Sequence, residues 1–446
     1  MKTRLLLATA LLAALAAAPP AAAQTPAESD TSLGGFLGQF SDSTDRFFGV
    51  SAAPVDTAGL DTVLSDSGLR PRRRLELGFA PTFDFSRVDG STPGLSASLG
   101  APAPEPGRTG WGKLRGNVAR ALGPDVTLGG GRYQDRLVLA RQPFDLDLWI
   151  GRKTGHLDRD DDDPLAMVGA FLTGSDWTQY CRNDGFEGSL THPHGWWRAS
   201  AGFRDLLQSP LRTTATWNLF NQALERPGNL AAAYGRTHEL GYEASAHWPG
   251  LPLLTEIAYQ TSSRRLGSDF EYRRVRVAAG LDLTLGRFAS LVPQFAWGRL
   301  TGDEVPQAAF YLGGSHTLRS LSYAATGGTR IAFARLEFMM VRDLLEVAHI
   351  PHPSLFPLQA AVFAAAGSVW GRDPYTGQVR PGIDWPRSAD WRSEAGGSLM
   401  WQPGIPDPAM FARIDWAKPI GPDAHGSRVS ISLGRGLDLV KRFERE

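Results

Sequence analysis

The chain has almost no cysteine. Cys181 is the only one among 446 residues, so an intramolecular disulfide is impossible. Nor is there an excess of charge of either sign. Lys and Arg number 46 and Asp and Glu number 46, and no basic stripe marks a nucleic-acid partner. Long apolar runs are missing beyond the first two dozen residues. Nothing there reaches the roughly 18 uninterrupted apolar residues of a transmembrane helix, so a membrane would have to be crossed as strands. A phosphate-binding loop, a Gly-x-Ser-x-Gly nucleophile turn and zinc-ligand spacing are also missing. No enzyme activity, metal or cofactor is therefore expected. A lipase assembling Ser, His and an acid from separate strands would leave no such motif and stays open.

What is present begins with a leader. Met1-Lys-Thr-Arg4 is basic, Leu5 to Ala18 is apolar, and Ala21-Ala22-Ala23 precede Gln24. That order predicts a secretory signal peptide over residues 1–23. An exported chain without disulfides suits a bacterial envelope. Residues 24–74 are rich in Gly, Ser, Asp and Ala and hold no sustained period, which predicts a flexible periplasmic segment. A polar tail, residues 438–446, closes the chain.

Between them, residues 75–437 alternate. In Tyr272–Leu285, Val275, Val277, Ala279, Leu281 and Leu283 oppose Arg274, Arg276 and Asp282. In Thr329–Val341, Ala334, Leu336, Phe338 and Met340 alternate with Arg335 and Glu337. A charge at every second position means one wet face and one apolar face. About 16 such segments follow one another, several of 12 residues or longer. Gly is abundant at 50 and Trp unusually frequent at 13. These features predict an all-β fold, a 16-stranded antiparallel transmembrane β-barrel, placed in the bacterial outer membrane as a monomer. A soluble β-sandwich or propeller shares some of these traits and is the alternative.

Connections vary in length. Asp158–Asp163, Ser209–Tyr234 and Arg372–Arg392 read as surface loops, and Trp248–Pro252 and Gly404–Pro408 as short turns on the opposite side. Trp197, Trp248, Trp297, Trp370 and Trp416 stand near strand ends as candidates for aromatic girdles. Asp160–Asp163 lacks the glycine-turn spacing of a calcium loop and reads as a solvated acidic loop. His192 and His194 flank Pro193 and read as a turn. Ser86-Arg-Val-Asp-Gly90 and Phe310-Tyr-Leu-Gly313-Gly314-Ser-His-Thr-Leu-Arg319 hold the remaining distinctive signals.

Those signals resemble the barrel of the BamA/TamA superfamily, the bacterial surface antigen family. Leu318-Arg319-Ser320-Leu321, after Leu312-Gly313-Gly314, resembles the Leu/Val-Arg-Gly-Tyr/Phe signature of the lumen-folded loop between strands 11 and 12. Arg335-Leu-Glu337 is similar to the family's Arg/Asn-x-Glu. Phe363-Ala-Ala365-Ala-Gly367-Ser-Val369 is similar to its Phe-x-Asp-x-Gly-x-Val strand. Arg413-Ile-Asp415 resembles its penultimate-strand Arg-x-Asp. Ser86–Gly90 resembles the sequence opening the first strand in shorter members, and Val429–Gly434 resembles the closing strand. Here Ser320, Leu321 and Ala365 replace the family's glycine, aromatic and aspartate, and the repeated periplasmic docking (POTRA) domains are missing.

The resemblance implies a loop latch and lumen network of Arg319, Gly313, Gly314, Arg335, Glu337, Phe363, Gly367, Arg413 and Asp415. With its usual carboxylate replaced by Ala365, Arg319 is expected to seek another. The resemblance also implies outer-membrane lipid as surroundings and other outer-membrane or secreted polypeptides as partners. A passive channel for small solutes is the alternative.

Overall fold

The computed structural model describes residues 76–100, 112–139, 142–157, 178–215, 218, 229–286, 288–314, 316–340, 342–351, 357–382, 385–401, 410–421 and 426–435. The leader, the segment before β1, Asp158–Asp163, Gly404–Pro408 and the C-terminal tail lie outside them.

The described chain is nearly all β. In order come β1 (Glu76–Ser86), β2 (Gly90–Gly100), β3 (Lys113–Ala121), β4 (Val126–Leu139), β5 (Gln142–His156), β6 (Tyr180–His194), β7 (Trp197–Pro210), β8 (Gly235–His247), β9 (Leu253–Ser262) and β10 (Tyr272–Leu281). Then follow β11 (Leu283–Leu285), β12 (Ala289–Gly302), β13 (Phe310–Leu312), β14 (Thr326–Gly328), β15 (Arg330–Met340), β16 (Leu358–Arg372), β17 (Val379–Arg380), β18 (Arg392–Trp401), β19 (Met410–Ile420) and β20 (Arg428–Arg435). All but β13 and β14 belong to one antiparallel sheet of 18 strands. Two of those are not independent. β11 continues β10 in the same register along β12, and β17 only doubles back on the end of β16. Counted so, 16 long strands pair in chain order, each with its sequence neighbours.

Alternation in the sequence becomes two unlike faces. Directly paired Leu95 and Val118, Phe338 and Val362, Leu399 and Ile414, and Trp416 and Val429 are all exposed on one face. Their neighbours on the other face are buried: Arg335, Glu337, Glu394, Ser398, Arg413 and Asp415. Val362 is 59% exposed, while Glu337, one strand away and on the opposite face, is 0% exposed. A sheet folded for water shows the reverse, because apolar area leaving water is the main driving force of folding. The period-2 pattern fixes this: a one-residue slip would exchange every pair of faces.

Connections sort by end. Because the strands alternate in direction, 157–179, 211–234, 303–329 and 373–391 all leave from one end of the sheet. The β4–β5, β6–β7, β8–β9 and β11–β12 connections leave from the opposite end and are short, while the β2–β3 connection and 341–357, where Leu344–Val347 forms one helical turn capped by Asp343, are longer connections at that same end. The turn at 195–196 is made by Gly195, whose φ of 41° favours glycine.

Several details differ from the sequence reading. Ala308–Gly313, one of the alternating segments that the sequence offers as a wall strand, does not form one. Only Phe310–Leu312 is extended, and it pairs with Thr326–Gly328 in a separate two-stranded ribbon within the connection 303–329. Ser86–Gly90 does not open the first strand but turns β1 into β2, since a full strand precedes it. That turn is buried. Asp89 accepts from Arg182 at 2.7 Å, and Arg87 donates to the Thr178 carbonyl at 2.6 Å. Trp370 is not at a surface girdle but fully buried. His192 and His194 end β6 rather than forming the turn, and both pack against Trp197, at 5.2 and 5.3 Å.

Candidate functional site

The connection 303–329 lies between β12 and β15, the eleventh and twelfth long strands. Its ribbon packs on the charged face of the sheet. Val305, Ala308, Phe310, Leu312 and Leu318 of the loop join Tyr272, Leu300, Ile331, Phe333, Ala365 and Val369 of the strands in one buried cluster. Gly367 makes room for it: a Cβ there would stand 2.8 Å from Leu312 Cδ1. Gly298 does the same for Phe310, whose ring would lie 2.5 Å from an added Cβ.

Gly313 and Gly314 then turn the loop. Their φ values are 120° and 102°, which side chains rarely adopt. The Gly313 N–H donates to Thr317 Oγ1 at 2.8 Å, and Gly314 donates to the Leu318 carbonyl at 3.1 Å. A Cβ on Gly313 would meet the Ser322 carbonyl oxygen at 2.0 Å. Gly313→Val should therefore cost about 1–3 kcal/mol through strain alone. Limited proteolysis should then cut within 303–329 where the wild type resists.

The turn delivers Arg319 to the sheet. Its guanidinium lies 3.3 Å from Glu337 Oε2 and 3.3 Å from Asp415 Oδ1. It also sits over the Phe363 ring, 4.3 Å from the centroid. Planar and always charged, a guanidinium can take two carboxylates in its plane and a ring against its face. Gly396 leaves space for that ring, since a Cβ there would be 2.6 Å from Phe363 Cζ. Arg413 braces the same acids. It donates to Glu337 Oε1 at 2.8 Å, to Asp415 Oδ1 at 2.7 Å and to Ser398 Oγ at 2.7 Å. The Ser398 hydroxyl donates on to Asp415 Oδ1 at 2.6 Å. Arg335 donates to the Thr317 carbonyl and so holds loop backbone.

Glu394 is the residue that sequence reasoning missed. Its carboxylate accepts the backbone N–H of Arg319 at 3.0 Å and of Ser320 at 2.6 Å. It stands directly opposite Ala365 in the β16–β18 register. The carboxylate that the resemblance places at position 365 is thus found one strand along, where it grips loop backbone instead of the guanidinium. Ser320 needs no glycine, as it is not among the described residues with positive φ. Leu321 packs against the buried apolar cluster, and its carbonyl accepts from Arg428 at the start of β20.

All nine sequence-predicted residues are therefore brought together around one loop. The buried charges balance: Arg319, Arg335 and Arg413 against Glu337, Glu394 and Asp415. Burying a charge is tolerable only when it is paired and hydrogen-bonded. Glu394→Ala would strip an acceptor from two loop amides, at about 1–3 kcal/mol for each. Thermal unfolding in detergent should show that loss, with Glu394→Gln falling between wild type and alanine.

No family model and no curated protein matches the chain. Among solved structures it is similar to BamA from Haemophilus ducreyi lacking POTRA domains 1–3, at 14% identity and a TM-score of 0.49, over 81% of this chain and 70% of that one. It is also similar to CdiB from Escherichia coli, at 11% identity and a TM-score of 0.45, over 82% of this chain and 63% of that one. CdiB from Acinetobacter baumannii follows at 12% identity and 0.40, over 81% and 60%. The chain spans less than two thirds of the length of either CdiB chain.

Proposed function

We propose that this chain is a bacterial outer-membrane β-barrel that inserts other polypeptides into that membrane or moves them across it. The observation that carries the membrane reading is the inversion of the two faces, with Leu, Val, Ile, Phe and Trp outward and Arg, Glu and Asp buried. Such a sheet suits lipid outside and a polar interior, closed so that no strand edge faces hydrocarbon. On this reading β1 and β20 meet to close the cylinder. Each has one other neighbour in the sheet, β2 and β19 respectively. Their contact is then the seam of the wall.

The polypeptide-handling role is supported by the resemblance of the loop and strand motifs to the BamA/TamA superfamily. Arg319 and its partners act here as a latch that holds the loop against β15, β16, β18 and β19 and keeps that side of the lumen filled. Work on client chains would draw on the clients' own folding energy and on local perturbation of the bilayer. Deletion of the protein followed by outer-membrane proteomics tests this. A defined set of outer-membrane or secreted polypeptides should be depleted. An unchanged profile removes the role, and recovery of the protein from the periplasm without detergent removes the membrane reading.

A passive channel is the second reading. It is favoured by charged side chains of β4 to β7 that line the same face as Glu337 and yet stay exposed.

A further inference from the structure

The charged face of the sheet is not uniform. Around the loop, side chains of Arg319, Glu337, Arg413 and Asp415 are at most 3% exposed. On β4 to β7 the situation differs. Arg136 pairs with Asp145 at 2.9 Å, and Arg132 pairs with Asp147. Lys153 pairs with Glu187, which also lies 3.8 Å from Arg204. These seven side chains keep between 23% (Glu187) and 52% (Arg136) of their exposure.

Their side of the sheet is fixed by register and by contact. Glu187 is directly opposite Arg204, and Arg204 reaches Glu239 at 3.3 Å. Glu239 in turn accepts from Tyr272, a member of the loop-side cluster, at 2.6 Å. At the alternate positions on these strands, Leu139 of β4, Ile150 of β5 and Leu207 of β7 lie exposed on the opposite face. Side chains that face inward and remain this exposed must touch water inside.

We propose that water and small polar solutes cross the membrane along this half of the lumen, next to β4–β7, while the loop fills the half next to β12–β19. The proposal rests on the barrel reading above. The exposed pairs follow the strands from the short-turn end to the long-loop end. Asp145 to Lys153 covers about 26 Å of β5 at roughly 3.3 Å per residue, comparable with the ~25 Å apolar band of such barrels. Four cations and three anions alternate along the track. A path lined so evenly disfavours neither sign strongly and suits small ions and zwitterions. Selectivity then depends on which member of a pair is removed.

The experiment uses purified full-length protein in planar bilayers. The wild type should conduct with weak ionic preference. An Arg132→Gln/Arg204→Gln double variant, which leaves Asp147 and Glu187 in excess, should raise the K+ over Cl− permeability ratio by about threefold. Separately, Gln134→Cys places a thiol between Arg132 and Arg136, and a membrane-impermeant thiol reagent should then block the current. Ala361→Cys, on the same face but 4% exposed beside Met339 and Met400, should stay unmodified, as should the buried native Cys181. Block at position 361 but not at 134, an unchanged permeability ratio, or no current from inserted wild-type protein would each overturn the path and leave the barrel standing. Fractionation without detergent into the periplasm would instead overturn the barrel itself.

Discussion

Arg319→Ala is expected to destabilise the protein by about 3–5 kcal/mol, the usual cost of removing one member of a buried ion pair. The size follows from what remains. Glu337 and Asp415 keep Arg413 but lose the second cation they share, and both are essentially without solvent. Phe363 also loses the group over its face. Differential thermal unfolding in detergent measures the loss. Arg319→Lys should recover only part of it, because an ammonium cannot reach two carboxylates in one plane while lying flat on a ring. In bilayers the alanine variant should show a larger and noisier current, since a loop held at one fewer point leaves its side of the lumen more often. Unchanged stability together with unchanged current would mean that Arg319 is not a latch.

Phe338→Arg tests the other face. Phe338 is exposed, paired with exposed Val362, and lies one residue from buried Glu337. If that face meets lipid, an arginine there should be destabilising, by up to the roughly 2–4 kcal/mol of a midplane position. A water-facing sheet would accept the same change within about 0.5 kcal/mol. Folding yield into lipid vesicles and urea unfolding from them read the difference directly. A neutral Phe338→Arg would remove the membrane reading whatever Arg319 does.

The faces of the wall were legible in the sequence because period 2 is all that a strand needs to separate them. Arg335, Glu337, Arg413 and Asp415 declare their side by alternating with Leu336, Phe338 and Ile414. The place of the loop was legible from strand order, and its turn from Gly313-Gly314. Glu394 was not. It stands between Ser393 and Ala395 in a strand whose sequence marks no site, and its importance arises only when the loop arrives opposite Ala365. Asp89 was hidden for another reason. Ser86–Gly90 resembles a strand opening rather than a turn, and only the tertiary fold sets Arg182 against Asp89. The inner ribbon was misread as wall because three residues of Phe310–Leu312 carry the same local signal in either place.

Among the described residues, the acids shown holding the tip of the loop follow it in the chain: Glu337, then Glu394, then Asp415. A nascent or clipped polypeptide ending before β19 keeps Glu394 but lacks Arg413 and Asp415. One ending before β18 lacks Glu394 as well, and leaves the Arg319 and Ser320 amides without their acceptor. Such fragments cannot seat the connection, however well their earlier hairpins pair. Seating therefore reports that synthesis reached the final strands, and quality-control proteases that cut loose segments would meet a ready target in any chain that stopped short.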